Sequence, residues 1–481
     1  MIGESNRFAV SKDTNMIIKI YYQTILKFIK TYIDYLEHDG KFQTQIPQAG
    51  LILHFNKRYD DEEKCWDSYF RVKDDSLLRY KTYQEECFLN LIIFQYLREE
   101  IPYGHDYLIG IDGASNELLM EPWVLAPIFR TVKDKYFHVL KNKALNKYGI
   151  KLKPIKSIGI TYHVGEVFHS LASGLRHVDE VIDYYGFQND GRIGHGTVLG
   201  IEIDEYIARH SIVSLPAIEL LDNLLWLYHL KSHHNLFKNI SISYLEENIW
   251  KIVHYIYNDE DGHINGEISI HHLYHAYRNQ FRELERLDFN NKQYSCSSIF
   301  KERDCTFKAN KLWDENQLLL SRHCRCFLRK MTRFIQIDVD DDTIRQIYQE
   351  AQLYVINKIA HKGIIVETNP VSNVNIGELY GMDMHPIMRL NDTFDKDYKR
   401  VMVSINTDDP GVFSTTLKNQ YGFILQMLYK QGIPMEKALR WIDQVRETGL
   451  NSTFLNRRMK SREEVEKELR EIELFINKQL H

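Results

Sequence analysis

The strongest constraint on how this chain folds is an alternation of short apolar runs with segments of helical periodicity, in which several runs end on polar residues. Gly50-Leu-Ile-Leu-His-Phe55, Tyr107-Leu-Ile-Gly-Ile-Asp112, Ile158-Gly-Ile-Thr-Tyr162 and Arg192-Ile-Gly-His195 are runs of this kind. Their length and continuous apolar character suit strands buried on both faces. Between them lie helical patterns near Tyr83 to Glu99, Val124 to Leu140 and Ser170 to Tyr185. Strands then resume at Gly363-Ile-Ile-Val-Glu367 and Val401-Met-Val-Ser-Ile405. Such alternation predicts a parallel sheet with helices outside it, either doubly wound or closed into a barrel.

The alternation divides the chain. Residues 1–49 form an N-terminal helical segment, with apolar side chains at helical spacing from Ile17 to Leu36. Residues 50–204 carry the first part of the barrel pattern and residues 357–460 the remainder. Between them, 205–356 reads as a helical insertion, large enough to fold as its own subdomain. Its aromatic-rich runs, such as Leu220 to Tyr228, read first as core and second as subunit contacts. Residues 461–481 form a charged C-terminal helix, read as solvated or partner-facing.

Composition removes several function classes. The net charge of −5 gives no general attraction to nucleic acid or to an anionic membrane. No stretch approaches the roughly 20 apolar residues of a membrane span, so the chain is expected in the cytoplasm. Six cysteines in 481 residues do not make a disulfide framework. Cys296, Cys305, Cys324 and Cys326 beside His323 resemble a zinc set only superficially, because Cys-x-Cys on a helix turns its thiols about 200° apart. His271, His272 and His275 contain an i, i+4 pair without an acidic neighbour in sequence, and carry no metal expectation.

Four strand ends hold the chemistry-bearing residues: His163-Val-Gly-Glu166, Arg192-Ile-Gly-His-Gly196, Glu367-Thr-Asn-Pro-Val-Ser-Asn373 and Asn406-Thr-Asp-Asp-Pro410. In a parallel α/β barrel these ends share one face, where catalytic residues gather. An imidazole and a carboxylate can bind a divalent ion, a second imidazole can accept a proton from water, and a carboxyl can donate one. Taken singly, each motif has a structural explanation; Asp-Asp-Pro, for example, starts helices.

Together with Ile111-Asp-Gly-Ala-Ser-Asn-Glu117, His385-Pro386 and Asn451-Ser-Thr-Phe454, and in this order, the motifs resemble the adenosine deaminase family of zinc-dependent barrel hydrolases. The resemblance spans residues 50–200 and 360–460. It implies a TIM-type (β/α)8 barrel with zinc held by His163 and Asp408. Glu166 would protonate the purine ring nitrogen, His195 would take the water proton and Asp409 would orient the hydroxide. Asp112 and Ser115 would lie against the substrate, adenosine or an adenine nucleotide. The signature of cytidine-type deaminases is absent.

Two departures stand out. The family's first strand carries a His-x-His pair, which this chain lacks, and the spacing of His54 from His163 fits the third strand instead. The expected barrel is therefore lacking or altered at its first strands, and the remaining zinc ligands come from another segment or the site is weakened. Ser115 stands where the family usually has a glycine. The Leu51-Ile-Leu-His-Phe-Asn-Lys57 strand and the insertion are similar to the deaminase component of bacterial RADAR anti-phage systems, which implies a homo-oligomer and an ATPase partner. Two other functions stay open: a non-enzymatic scaffold, and an amidohydrolase-type reaction on another amine or amide.

Overall fold

The structure is a computed structural model that describes residues 7–38, 46–60, 78–133, 158–189, 191–258, 266–281, 313–323, 325–377, 379, 381–392, 401–455 and 460–480. The four cysteines considered for zinc, and residues 134–140 of the expected helix ending at Leu140, lie outside the described residues or their described side chains.

Six strands make one all-parallel sheet. They are β1 (Leu51–Asn56), β2 (Leu108–Ala114), β3 (Gly159–Val164), β4 (Gly191–His195), β7 (Ile365–Thr368) and β8 (Met402–Ile405), in the spatial order β1-β2-β3-β4-β7-β8. Each strand neighbours the next along the chain, as in the wall of a (β/α)8 barrel, where helices cross over between adjacent parallel strands. Among the described residues no pairing closes β8 onto β1. Burial follows position: β2 is buried along its whole length, whereas β1 at the sheet edge is half-buried with His54 and Asn56 exposed.

The strand-to-helix connections are set by local chemistry. Ser170 accepts the Ser173 N–H and caps the helix Leu171–Tyr184. Asp341 caps Asp342–Lys362, which ends on Gly363 in the left-handed conformation just before β7.

The segment 205–356 is not wholly helical. Beside helices such as Ala217–His234 and Ile242–Tyr257 it contains a two-stranded antiparallel ribbon, β5 (Ile212–Pro216) against β6 (Phe334–Asp338). Alternate exposure along β6 gives the ribbon one solvated face. The aromatic runs pack as core: Trp226, Ile249, Val253 and Tyr277 are all buried. These helices cover Leu171–Tyr184, of whose fourteen residues only Asp183 is not buried. Its polar groups are paired across the contact and along the helix itself. Arg176 donates to Asn223 at 2.7 Å and to Glu180 at 2.6 Å, and Asp179 accepts from Trp226 at 2.9 Å and from Lys358 at 2.6 Å. Arg322 and Asp222 make a two-pronged pair at 2.6 and 2.9 Å.

The C-terminal helix Arg462–Leu480 corrects the expectation of a solvated element. Its charges face outward, but Val465, Leu469, Ile472 and Ile476 form a buried stripe packed along Arg7–Glu37. Tyr22 meets Phe475 edge-on. Charge density in the sequence masked a period-3.6 apolar stripe. Truncating Leu469 to Ala is expected to cost about 2–5 kcal/mol of unfolding free energy, measured by urea denaturation. A loss below about 0.5 kcal/mol would show that the stripe carries no stability.

Candidate active site

The strand ends converge as their parallel register requires. His54 stands opposite Asp112, and Val164 opposite His195. Gly194 stands beside His163, and a Cβ there would come within 2.5 Å of the His163 ring, so this position needs glycine for the imidazole to lie across β4.

A chain of side-chain contacts crosses the sheet. His54 Nδ1 lies 3.6 Å from Asp112 Oδ2, which lies 3.3 Å from His163 Nε2. His163 Nδ1 is 3.3 Å from His195 Nε2, with the rings edge to face. His195 Nδ1 is 2.8 Å from Asn373 Nδ2 and 3.1 Å from Glu166 Oε1. Asn373 Nδ2 also donates to Glu166 Oε1 at 2.7 Å. Asp112, Glu166, His195 and Asn373 are all buried, while His163 is partly exposed.

Burial, with Glu367 nearby, pushes the Asp112 carboxyl up to about 8. Burial holds the His163 ring well below its ordinary value, helped by His195, so it stays neutral. For His195 burial also disfavours charge, yet the hydrogen bond and charge of Glu166 carry the ring above its ordinary value.

The turn after β3 depends on Glu117, whose two oxygens accept the N–H groups of Gly165 at 2.6 Å and Glu166 at 3.0 Å. Buried Lys57 lies over the Tyr162 ring and donates to the His163 carbonyl at 2.5 Å. Burial lowers the Lys57 pKa against the opposing pull of Glu117, Asp112 and Glu166. Neither residue had a role in the sequence reading, although both lie in quoted segments. Their function depends on a contact between β1, β2 and β3 that no local pattern encodes.

Asp408 lies close enough to His54 and His195 for its charge to favour their protonated forms, though its own hydrogen bond goes elsewhere. Asp408 is exposed, has φ +57° and accepts the Ser372 hydroxyl at 2.6 Å. Asp409 is exposed and caps the helix Pro410–Phe413, accepting the Gly411 and Val412 N–H groups. The helix-start explanation of Asp-Asp-Pro therefore holds for Asp409. Ser115 is exposed at the end of β2 with φ +80°, in the left-handed region that glycine adopts without strain. His195 is likewise left-handed at φ +67°, an uncommon state for a non-glycine residue.

Metal-ligand chemistry is present in part. His163 offers a neutral imidazole, and Asp112 has a second oxygen that is buried without a hydrogen-bond partner. Among the described residues, however, no three His, Cys, Asp or Glu side chains make up a metal site. The described donors do not by themselves fit a resident ion. Elsewhere, His271 and His275 bring their Nε2 atoms to 3.1 Å, with Glu315 3.9 Å from His275.

His385 supports the cluster from below. Its Nε2 lies 3.2 Å from Asn373 Oδ1, and its Nδ1 accepts the Ile387 N–H. Burial alone pushes its pKa down to about 3. The folded state thus refuses a proton that the unfolded chain takes up near 6.5, and stability falls as pH drops below 6.5. Replacing His385 by Gln is expected to flatten the pH dependence of unfolding free energy between about pH 6.5 and 4, by up to about 1.4 kcal/mol per unit. An unchanged slope in urea titrations would assign the acid sensitivity to other groups. Glu117→Gln, which keeps one acceptor oxygen and loses the other, is expected to cost about 1–3 kcal/mol. A variant as stable as the parent would show that the turn does not rely on both bonds.

Comparison with known proteins adds an independent view. Residues 341–467 match the adenosine deaminase family model. Adenosine deaminases from Plasmodium gallinaceum and Plasmodium falciparum (isolate 3D7) are each 39% identical to the chain over 67 residues, 14% of this chain and 17% of the relative. The Plasmodium knowlesi adenosine deaminase is 34% identical over a stretch of the same length. The chain spans less than a fifth of the length of these relatives. The family match contains Asn369, Asn373, His385, Asp408 and Asp409, whereas His163, Glu166 and His195 lie before it.

Proposed function

We propose that this chain, whose residues 341–467 belong to the adenosine deaminase family, takes part in the hydrolytic deamination of adenosine or an adenine nucleotide. In that reaction water adds to C6 of the purine while the neighbouring ring nitrogen gains a proton. Ammonia then leaves and the oxygen stays. The observation that carries the reading is the packing of a buried carboxyl, Glu166, against a buried imidazole, His195, at the carboxyl ends of neighbouring parallel strands. A carboxyl group placed there can pass a proton to a ring nitrogen, and the adjacent imidazole can take one from water. Asp112 and Ser115 are the proposed substrate contacts, and Asp409 the proposed partner of the attacking oxygen.

Zinc is the ion this reading calls for, with His163 and Asp408 among its ligands. The described donors do not complete such a site, so the reading requires ligands from outside them. Purified chain is therefore expected to retain well under one equivalent of zinc by elemental analysis. One equivalent that survives dialysis would show that the chain completes the site itself.

Likeness to RADAR deaminase components extends the proposal to anti-phage defence, in a cytoplasmic assembly of like subunits that works with an ATPase. The incomplete donor set favours a second reading, a deaminase-derived scaffold that acts through assembly or ligand sensing.

Mass spectrometry of zinc-supplemented reactions with adenosine, deoxyadenosine, AMP and ATP separates the two. The deaminase reading expects an inosine-type product from at least one substrate, and a loss of turnover of about 100-fold or more in Glu166→Gln and His195→Ala. Absence of product from folded protein in the presence of a complementing His-x-His segment would reject it.

A further inference from the structure

We propose that His271 and His275, on a helix of the insertion, bind one divalent transition-metal ion through their Nε2 atoms, with the Glu315 carboxylate set against the far nitrogen of the His275 ring. This site uses no residue of the candidate active site and is independent of the deaminase reading.

The two histidines lie about one turn apart on the helix Ile270–Arg278, which Ser269 caps by accepting the His272 N–H. A spacing of four residues places both side chains on one face. Their ring centroids are 4.3 Å apart and the planes 49° apart, whereas the two Nε2 atoms are 3.1 Å apart. The nitrogens are closer than the ring centres, so the two Nε2 edges tilt toward a common point. Zinc bonds imidazole nitrogen at about 2.0–2.1 Å, and an ion at that distance from both atoms would subtend roughly 95–100° between them. That angle lies between the square-planar and tetrahedral values, so neither ring has far to move. Spacing along the helix does not by itself produce this convergence. His229 and His233 are also four residues apart, on the helix Ala217–His234, with the same 4.3 Å between centroids. Their rings stack 28° from parallel, which sets faces and not nitrogens against each other.

Two imidazole nitrogens at 3.1 Å cannot both turn lone pairs on each other without cost. The contact is satisfied when one ring donates its N–H to the other, or when a cation takes both lone pairs. Glu315 favours the second arrangement. Its Oε2 lies 3.9 Å from His275 Nδ1, and a carboxylate on that side draws the hydrogen to Nδ1 and leaves Nε2 its lone pair. The carboxylate belongs to the helix Glu315–Ser321, which a capping box of Asp314 and Gln317 starts. His272 Nδ1 donates to the Trp313 carbonyl at 3.0 Å and ties the two helices together at this point.

The donor set also selects the ion. Imidazole suits zinc, copper and nickel, whereas magnesium and calcium prefer oxygen ligands. His271 is exposed and the His275 side chain is 41% exposed, so water can fill the remaining positions. Two protein ligands hold an ion less tightly than the three or four of a resident zinc site, so occupancy here follows the supply of the ion.

The test is a zinc chloride titration of the full chain, followed by nitrogen NMR of 15N-labelled histidine at about pH 8, above the ordinary imidazole range. His271→Asn and His275→Asn assign the two rings, and unchanged signals from the other histidines show that each variant is folded. Micromolar zinc is expected to move both Nε2 signals together with one midpoint, while magnesium leaves them in place. Either single variant is expected to weaken zinc binding at the remaining ring at least about 10-fold, and Glu315→Gln to weaken it at both rings about 10-fold. Zinc that moves one ring only, moves the two with separate midpoints, or moves neither overturns the shared site. An unchanged midpoint at the remaining ring in either single variant overturns it as well. Parent affinity in Glu315→Gln overturns the part assigned to that carboxylate.

Discussion

The arrangement of the site depends on the hold that Glu117 exerts on the turn after β3. Gly165 and Glu166 both direct their N–H groups at its carboxylate, and the buried Lys57 ammonium lies close by to balance the charge. Lys57 also grips the His163 carbonyl, so residues 163, 165 and 166 are held by two side chains of opposite type, one just after β1 and one in the turn after β2. Burial disfavours both charges; each opposes that penalty for the other by its sign, and each is held by hydrogen bonds to backbone groups of the same turn. The positions of His163 and Glu166 follow from that pairing, and the positions of His195 and Asn373 follow in turn by contact.

The insertion is part of the same mechanical unit as the sheet. An outer helix of a parallel α/β fold ordinarily keeps one face in water, but Leu171–Tyr184 is covered on nearly all sides. Its charged residues are paired with Asn223, Trp226 and Lys358 from the covering helices, which makes the contact specific as well as apolar. Because this helix begins five residues after Glu166, capped by Ser170, the insertion packs against the element that leads directly away from the site.

Three of the eight described non-glycine residues with positive φ lie at or just after strand ends of the parallel sheet. Ser115, His195 and Asp408 all occupy the left-handed region that side chains disfavour, and each follows or ends a strand of the parallel sheet. Such strain persists only where surrounding bonds over-determine the conformation. His195 meets that condition, with contacts to His163, Glu166, Asn369 and Asn373. At Ser115 the same conformation gives a physical reason why a glycine suits the position.

Sequence alone determined the parallel sheet, because strands buried on both faces must be written as continuous apolar runs, and each strand of that sheet falls within two residues of such a run, whereas the antiparallel ribbon of β5 and β6 was not foreseen. It also singled out His163, Glu166 and His195, since a buried-looking strand has no folding reason to end on ionisable groups. It did not reveal Glu117, Lys57 or Asn373 as organising residues, although all three lay in segments already singled out. A carboxylate that receives two backbone N–H groups, or an amide wedged between a carboxyl and an imidazole, is defined by partners roughly 50 to 200 residues away in the chain. Nor could it assign the C-terminal helix to an intramolecular seam, because charge in a sequence does not say which face of an element meets another. Periodicity is a local property and fixes the elements; hydrogen-bond direction and burial are properties of the assembled interior, so tertiary structure alone decided which of the strand-end residues act together.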